Sequence, residues 1–207
     1  MSYLDVLLAA ELLLDWNLLA QPRGPWREVS YRGHTAYVVQ ADSAEKYLHA
    51  EARGTNSALF FPIPSKTQLS ELRWRWRVLR HPAGANTTVK RSDDRAASVF
   101  VLVHRSIFPW RTRGLLYQWA NGSERGRWTS SPYASGIKVI TLENAPADSV
   151  WRSERRNLRE DLRAAFKSMP ARIEAIGVLC DADNTGDRAI ADFGSLRLLT
   201  TGEHRVY

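Results

Sequence analysis

Asp181, Asp183 and Thr185 stand at alternate positions in Asp181-Ala182-Asp183-Asn184-Thr185-Gly186, a polar loop between two apolar runs. Three oxygen-bearing side chains spaced this way can turn toward one point, which is what a hard cation such as Ca²⁺ requires. A tight turn requires the same residues, because short carboxylates cap backbone N–H groups and Gly takes a sharp bend. Asp192 falls where the twelfth position of an EF-hand-like loop would lie. An EF-hand carries Glu at that position and joins helices, whereas this loop joins two strand-like runs. The metal reading therefore assigns Asp181, Asp183, Thr185 and Asp192 to a Ca²⁺ site. The competing reading gives the same carboxylates to backbone caps and Arg pairs.

Asp93 and Asp94 form a second acidic pair, in Lys90-Arg91-Ser92-Asp93-Asp94. Adjacent carboxylates on an extended segment point to opposite faces, so the two rarely serve one proton-transfer step together; one of them can face a cleft, and the competing reading is an ion-paired loop between strands. If either approaches Asp181 or Asp183, a paired-carboxylate acid/base site becomes available. The five histidines, His34, His49, His81, His104 and His204, are dispersed and form no zinc-ligand spacing. No Gly-rich phosphate loop and no G-x-S-x-G element is present. Cys180 is the single cysteine and sits in an apolar run, where a small buried hydrophobe is expected rather than a nucleophile.

The elements that must position these residues read mostly as strands. Leu72-Arg73-Trp74-Arg75-Trp76-Arg77-Val78 alternates strictly, with Leu72, Trp74, Trp76 and Val78 on one face and three Arg on the other. Ser98–Val103 is apolar on both faces, as in a central strand. Further strands are expected at 35–39, 47–50, 58–61, 115–119, 138–142, 173–180 and 189–199. Asn157-Leu158-Arg159-Glu160 has the form of a capping box, followed by Leu158, Leu162, Ala165 and Phe166 on one helical face up to Pro170. This predicts one short helix near 157–168. Leu4–Leu19 is rich in Leu and Ala but broken by Asp5, Glu11 and Asp15, which fits neither a signal peptide nor a membrane span. It predicts an N-terminal helix, residues 1–20, docked by its Leu face on one domain at 21–207. The pattern as a whole predicts a mainly β fold, an antiparallel β-sandwich of jelly-roll type.

Composition narrows the partners. The chain has 207 residues, enough for one domain with a substantial core, and its 44% apolar and 25% charged content is that of an ordinary globular protein. The net charge of +7 is scattered along the chain and carried almost entirely by Arg. No nucleic-acid recognition motif accompanies it, so nucleic acid is not the expected partner. Eight Trp supply either core area or ligand platforms.

Several short motifs occur in a fixed order: Trp74-x-Trp76-x-Val78, Lys90-x-x-Asp93-Asp94, Tyr117-x-Trp119, Trp151 with Glu154-x-Arg156-Asn157, Asp161, Phe166 with Pro170, and Asp181-x-Asp183-Asn184-Thr185. Over about Trp26 to Leu199 this ordered set resembles the bacterial domain-of-unknown-function family 3047 (DUF3047). The resemblance implies a bacterial, mainly β protein and an envelope setting, since members often carry an export signal. It implies no reaction. Ser98 stands where the family's Arg is expected after the Asp pair, so an ion pair there is lost or replaced.

Three functions follow as expectations. The first is a carbohydrate-type binding module, with Asp93 or Asp94 accepting from hydroxyls and Tyr117, Trp119 and Trp128 as aromatic contacts. The second is a glycan-active enzyme using converging Asp carboxylates. The third is a basic scaffold that meets an acidic partner through Arg73, Arg75 and Arg77.

Overall fold

Alternation along β6 (Leu69–Arg80) buries Leu72, Trp74, Trp76 and Val78 and turns Arg73, Arg75 and Arg77 outward. In the computed structural model, which describes residues 9–65, 67, 69–104, 106–108, 111–120, 122–167 and 172–201, this strand is the spine of the first of two facing sheets. That sheet runs β1 (Ala9–Leu14), β14 (Leu196–Thr201), β6, β13 (Arg188–Phe193), β4 (Lys46–Arg53), β3 (Ala36–Ala41), with β11 (Arg152–Asn157) paired to β6. The second runs β2 (Arg27–Arg32), β5 (Asn56–Pro62), β12 (Ala175–Asp181), β7 (Ala97–His104), β8 (Arg113–Trp119), β10 (Ile137–Glu143), β9 (Trp128–Ser130). All neighbours are antiparallel except β8 and β10. The protein is a jelly-roll-like β-sandwich, as its strand spacing predicts. Among the described residues no helix is long and apolar enough to cross a membrane.

The core between the sheets takes Trp74, Trp76, Phe193 and Leu198 from the first and Val99, Val101, Tyr117, Trp119 and Ile176 from the second. Trp74 and Trp76 meet edge to face at 5.5 Å, and Trp76 meets Trp119 at 6.0 Å. Cys180 is fully buried there, and burial pushes its thiol up. The apolar character of β7 on both faces has a second consequence. Phe100 and Leu102 point away from this core and join Phe60, Leu116, Ile137, Val139 and Leu179 in a separate apolar cluster on the outer side of the second sheet. A sheet that is hydrophobic on both faces needs cover on both, and the outer cover forms the site below.

Among the described residues the single α-helix, α1 (Leu158–Phe166), starts where expected. The Asn157 side chain accepts from the N–H groups of Arg159 and Glu160, and Leu158 and Leu162 are buried. Pro170 lies outside the described residues. The helix expected over 1–20 is corrected. Ala9–Leu14 pair with β14 as a strand, and only Trp16–Ala20 make a short 3-10 turn, with Asp15 as its cap. Residues 1–8 lie outside the described residues. The edge of β14 offers a row of backbone partners, and a Leu-rich segment placed there satisfies them while burying Leu14. Helix propensity is a weak preference beside that gain.

β11, whose Arg-Ser-Glu-Arg-Arg-Asn has no apolar face, is like β2 and β9 an element that the sequence pattern does not announce. It forms because β6 has a long edge to pair, and its inward row closes the rim of the core. Arg156 holds Asp161, Tyr117 donates to the same carboxylate at 2.7 Å, and Arg152 stacks on Trp119 at 4.6 Å. Glu154 in this row titrates above its ordinary 4.5, chiefly because burial penalises the charge and also because Glu143 is near. The folded chain therefore keeps this proton to higher pH than the unfolded chain, so stability is lost as pH rises through the raised value. Glu154→Gln is expected to match the parent near pH 4 and to exceed it in urea melts by a margin that grows as pH rises from the ordinary value to the raised one and is constant above it. A margin that does not change with pH would remove this account.

Candidate functional site

The outer face of the second sheet is a groove of about 640 Å³, within the range of small-ligand sites. Strand alternation builds its floor from Phe60 on β5, Phe100 and Leu102 on β7, Leu116 on β8 and Leu179 on β12. Gly177 and Gly114 make room for the two rings. A Cβ at Gly177 would meet Phe60 Cδ1 at 2.7 Å, and one at Gly114 would meet Phe100 Cε1 at 2.8 Å. Phe60 and Phe100 sit edge to face with centroids 5.6 Å apart.

The floor changes character along the strands. The outward residues of β12 are Ala175, Gly177, Leu179 and then Asp181, a run of about 20 Å. At the Asp181 end, the loop before β7 and the loop after β12 meet. The Asp94 carboxylate accepts the N–H groups of Asn184 at 2.9 Å and Thr185 at 2.7 Å. Asp183 accepts from Asn56 at 3.1 Å and donates its own N–H to Asp181 at 3.3 Å. One oxygen each from Asp94, Asp181 and Asp183 lies within 4.8 Å of the other two, so the three can hold a metal ion. The chemistry of the set, three hard carboxylate oxygens, fits Ca²⁺.

Asp93, unlike Asp94, lines the groove, and it ends a short 3-10 turn with φ -76° and ψ 51°. It faces the groove and pairs with Arg95, so the guanidinium that follows the Asp pair comes from Arg95, with Ser98 on the sheet beyond it. Arg95 is 8% exposed, and its Nε has no hydrogen-bond partner among the described residues. The same is true of Asn56 Oδ1, Ser98 Oγ and Gln118 Oε1. Of these four, the atoms of Asn56 and Arg95 belong to residues that line the groove, while Ser98 and Gln118 lie on the same face of the sheet outside it. Burial pushes the Asp181 carboxyl well above the ordinary range, with Arg95 opposing and Asp183 and Asp94 reinforcing the rise. Burial raises Asp93 in the same way, again against Arg95. Tyr133 closes this end, donating to the Lys90 carbonyl and accepting from Asn184, both at 2.8 Å.

Asp93, Asp181 and Asp183 thus line one end of one groove, and Asp94 lies against them with an oxygen within 4.8 Å of those of Asp181 and Asp183. Thr185 stays in the loop but gives its N–H to Asp94, while its hydroxyl accepts from Asp187 N–H at 3.3 Å. Asp192 is corrected. It lies on the outer face of the other sheet, 1% exposed, with His49 Nδ1 at 2.6 Å and Arg77 Nε at 2.7 Å. The register of β13 against β4 and β6 puts those two residues opposite it, which an EF-hand count cannot register. Tyr117 and Trp119 are corrected as ligand platforms. Alternation on β8 turns Leu116 to the groove, with Gln118 on the same outer face, and sends both rings into the core, fully buried. Trp128 packs half-buried against that same core. Arg95, Asn56, Phe60, Phe100 and Tyr133 were not singled out by motif. Their only sequence trace is the two-faced apolar β7 and a Gly inside the apolar run of β12.

The outward Arg row is already partnered. Arg73 and Arg155 share Glu71, Arg75 binds Glu45, and Arg77 binds Asp192. Arg75 and Arg77 also stack on Trp151 at 4.3 and 4.6 Å.

A family model described as "Protein of unknown function (DUF3047)" matches residues 24–197. No curated protein matches. Among solved structures, the chain is similar to a family 11 carbohydrate-binding module from Clostridium thermocellum in complex with a β-1,3-1,4-mixed-linked tetrasaccharide. The identity is 11% and the TM-score 0.48, covering 94% of this chain and 98% of that one. It is also similar to the xyloglucanase domain of NopAA, a type three effector from Sinorhizobium fredii, at 7% identity and TM-score 0.48, covering 84% and 92%. At such identities and scores, what those proteins bind or cleave does not transfer to this chain.

Proposed function

Because the chain belongs to the DUF3047 family, whose description assigns no activity, we propose a function from the groove alone: a binding module for a carbohydrate-type ligand, with a Ca²⁺ site at the groove's acidic end. The observation that carries this is the joining of an apolar floor to a polar end lined by Asn56, Asp93, Arg95, Ser131, Tyr133 and Asn184. Carboxylate, amide and hydroxyl groups at this end supply both donors and acceptors, and a sugar hydroxyl is both. In this reading Asp94, Asp181 and Asp183 take the cation, which fixes the loop bearing Asn184 and so the wall of the groove. Asp93 and Arg95 face the ligand.

Calorimetry with Ca²⁺, followed by glycan-array binding with and without chelator, tests it. Ca²⁺ is expected to bind with measurable heat and to raise the melting temperature, and Asp183→Asn is expected to abolish both. Glycan binding is expected to weaken on chelation and on Asp93→Asn. Absence of any Ca²⁺ response removes the cation from the proposal, and absence of any glycan signal removes the carbohydrate.

One observation favours a second reading, a glycan-active enzyme. Asp181 and Asp93 are buried carboxyls in one cleft, both raised chiefly by burial and also by neighbouring carboxylates, an environment of the kind found at acid/base sites. Release of reducing ends from a bound glycan, lost in Asp181→Asn, would select it.

A further inference from the structure

Resting on the groove as the ligand site, we propose that its ligand is an amphiphile, with a hydroxyl-bearing head at the acidic end and an alkyl chain along the apolar floor. The two ends of the groove differ in kind. Phe60, Phe100, Leu102, Leu116 and Ile137 line one part, and each is 3–8% exposed, buried against the sheet with its remaining surface toward the groove. These side chains offer no hydrogen bond. A free oligosaccharide laid along them would lose water from its hydroxyls and gain no partner, which costs free energy. Nor is the floor a sugar platform, because its two rings meet edge to face instead of presenting one broad plane. An alkyl chain meets the same floor with no polar group to desolvate, and each buried methylene strengthens binding.

The other end fixes the head. The acidic side chains alone would point to a cation and nothing more. Arg95 adds the second observation: it is more than nine-tenths buried, lines the groove, and its Nε has no partner among the described residues. Asn56, Ser131 and Asn184 line this same end, and their amide and hydroxyl groups are of the kind that meets ligand hydroxyls. With Arg95 set against Asp93, and a divalent cation set against Asp94, Asp181 and Asp183, little net charge is left for the head to match. A neutral polyol satisfies these conditions. The far end of the groove is consistent with a chain leaving there. Beyond Leu102 on β7, Ser106 and Thr112 form the rim, and next to them Ile107 is 89% exposed and Phe108 40% exposed, with the Arg111 guanidinium 5.3 Å from the Phe108 ring.

Titration calorimetry on the full chain in Ca²⁺ tests the proposal. The probes are n-octyl β-D-glucoside and n-octyl β-D-galactoside below micelle formation, the two matching methyl glycosides, a cello-oligosaccharide and 1-octanol. At least one octyl glycoside is expected to bind about tenfold more tightly than its methyl counterpart and also more tightly than octanol. Leu102→Asn is expected to remove the octyl preference. If that variant does not fold, shifts of the Phe60 and Phe100 ring resonances in the parent protein, seen with octyl and not with methyl glycoside, report the same contact. Methyl glycosides or the oligosaccharide binding as tightly as the octyl forms would overturn the amphiphile and leave the carbohydrate reading standing. Octanol binding as tightly as the octyl glycosides would overturn the head assignment and the proposal with it. Binding by none of the probes would overturn both readings.

Discussion

Replacing Asp94 with Ala is expected to lower stability by about 2–4 kcal/mol and to abolish any Ca²⁺ response. The Asp94 carboxylate, 1% exposed, is the acceptor for two successive backbone N–H groups, those of Asn184 and Thr185. Truncation leaves both donors unpaired in a partly buried loop, and each unpaired buried donor costs about 1–3 kcal/mol. The loop carrying Asp183 then loses the clasp that sets it against Asp181, so the loss reaches the candidate cation site as well as the fold. Asp94→Asn keeps one carbonyl oxygen and is expected to lose about half as much stability. Chemical denaturation of the three proteins, with and without Ca²⁺, measures both effects. If Asp94→Ala is as stable as the parent, the clasp does not form and the two loops are not joined as described.

Trp119→Ala is expected to destabilise the protein by about 3–5 kcal/mol, with ligand affinity of the remaining folded protein unchanged. The ring is fully buried, touches Trp76 and carries Arg152 on its face, and its indole N–H donates to the Ala145 carbonyl at 2.9 Å. Removing it leaves a cavity that a sandwich held by strands on both sides closes poorly. An exposed ligand platform would show the reverse pattern, with affinity lost and stability kept. Trp119→Phe, which keeps most of the volume and loses the indole bond, is expected to fall between. Thermal melts together with binding at a temperature well below the transition separate the two cases.

Much of the fold can be read from local pattern because burial has a period. In β6 every second residue is large and apolar, in β7 nearly every residue is, and Asn157 stands where a helix needs a side-chain acceptor. Where a segment takes its conformation from a neighbour, local pattern fails. Ala9–Leu14 is helix-like in composition and is drawn into a sheet by the edge of β14, and Arg152–Asn157 is polar throughout and pairs with β6 all the same. The site divides along the same line. The acidic doublet and the acidic loop are visible as residue types, yet the count that added Asp192 follows a helical loop that this chain does not form.

The sequence by itself determined which side chains share a strand face, since that depends only on the two-residue repeat of an extended backbone. It therefore settled the sandwich class, the buried Trp row and the presence of a strand with two apolar sides. Only the tertiary structure decided which of those faces meets the other sheet and which is left to line a groove. It alone placed Asp94 beside Asp181 and Asp183, some ninety residues along the chain, and sent Asp192 to the opposite side of the molecule. The reason is physical: strand order and register are set by long-range pairing and by the sum of buried area, and neither quantity is a property of any one segment.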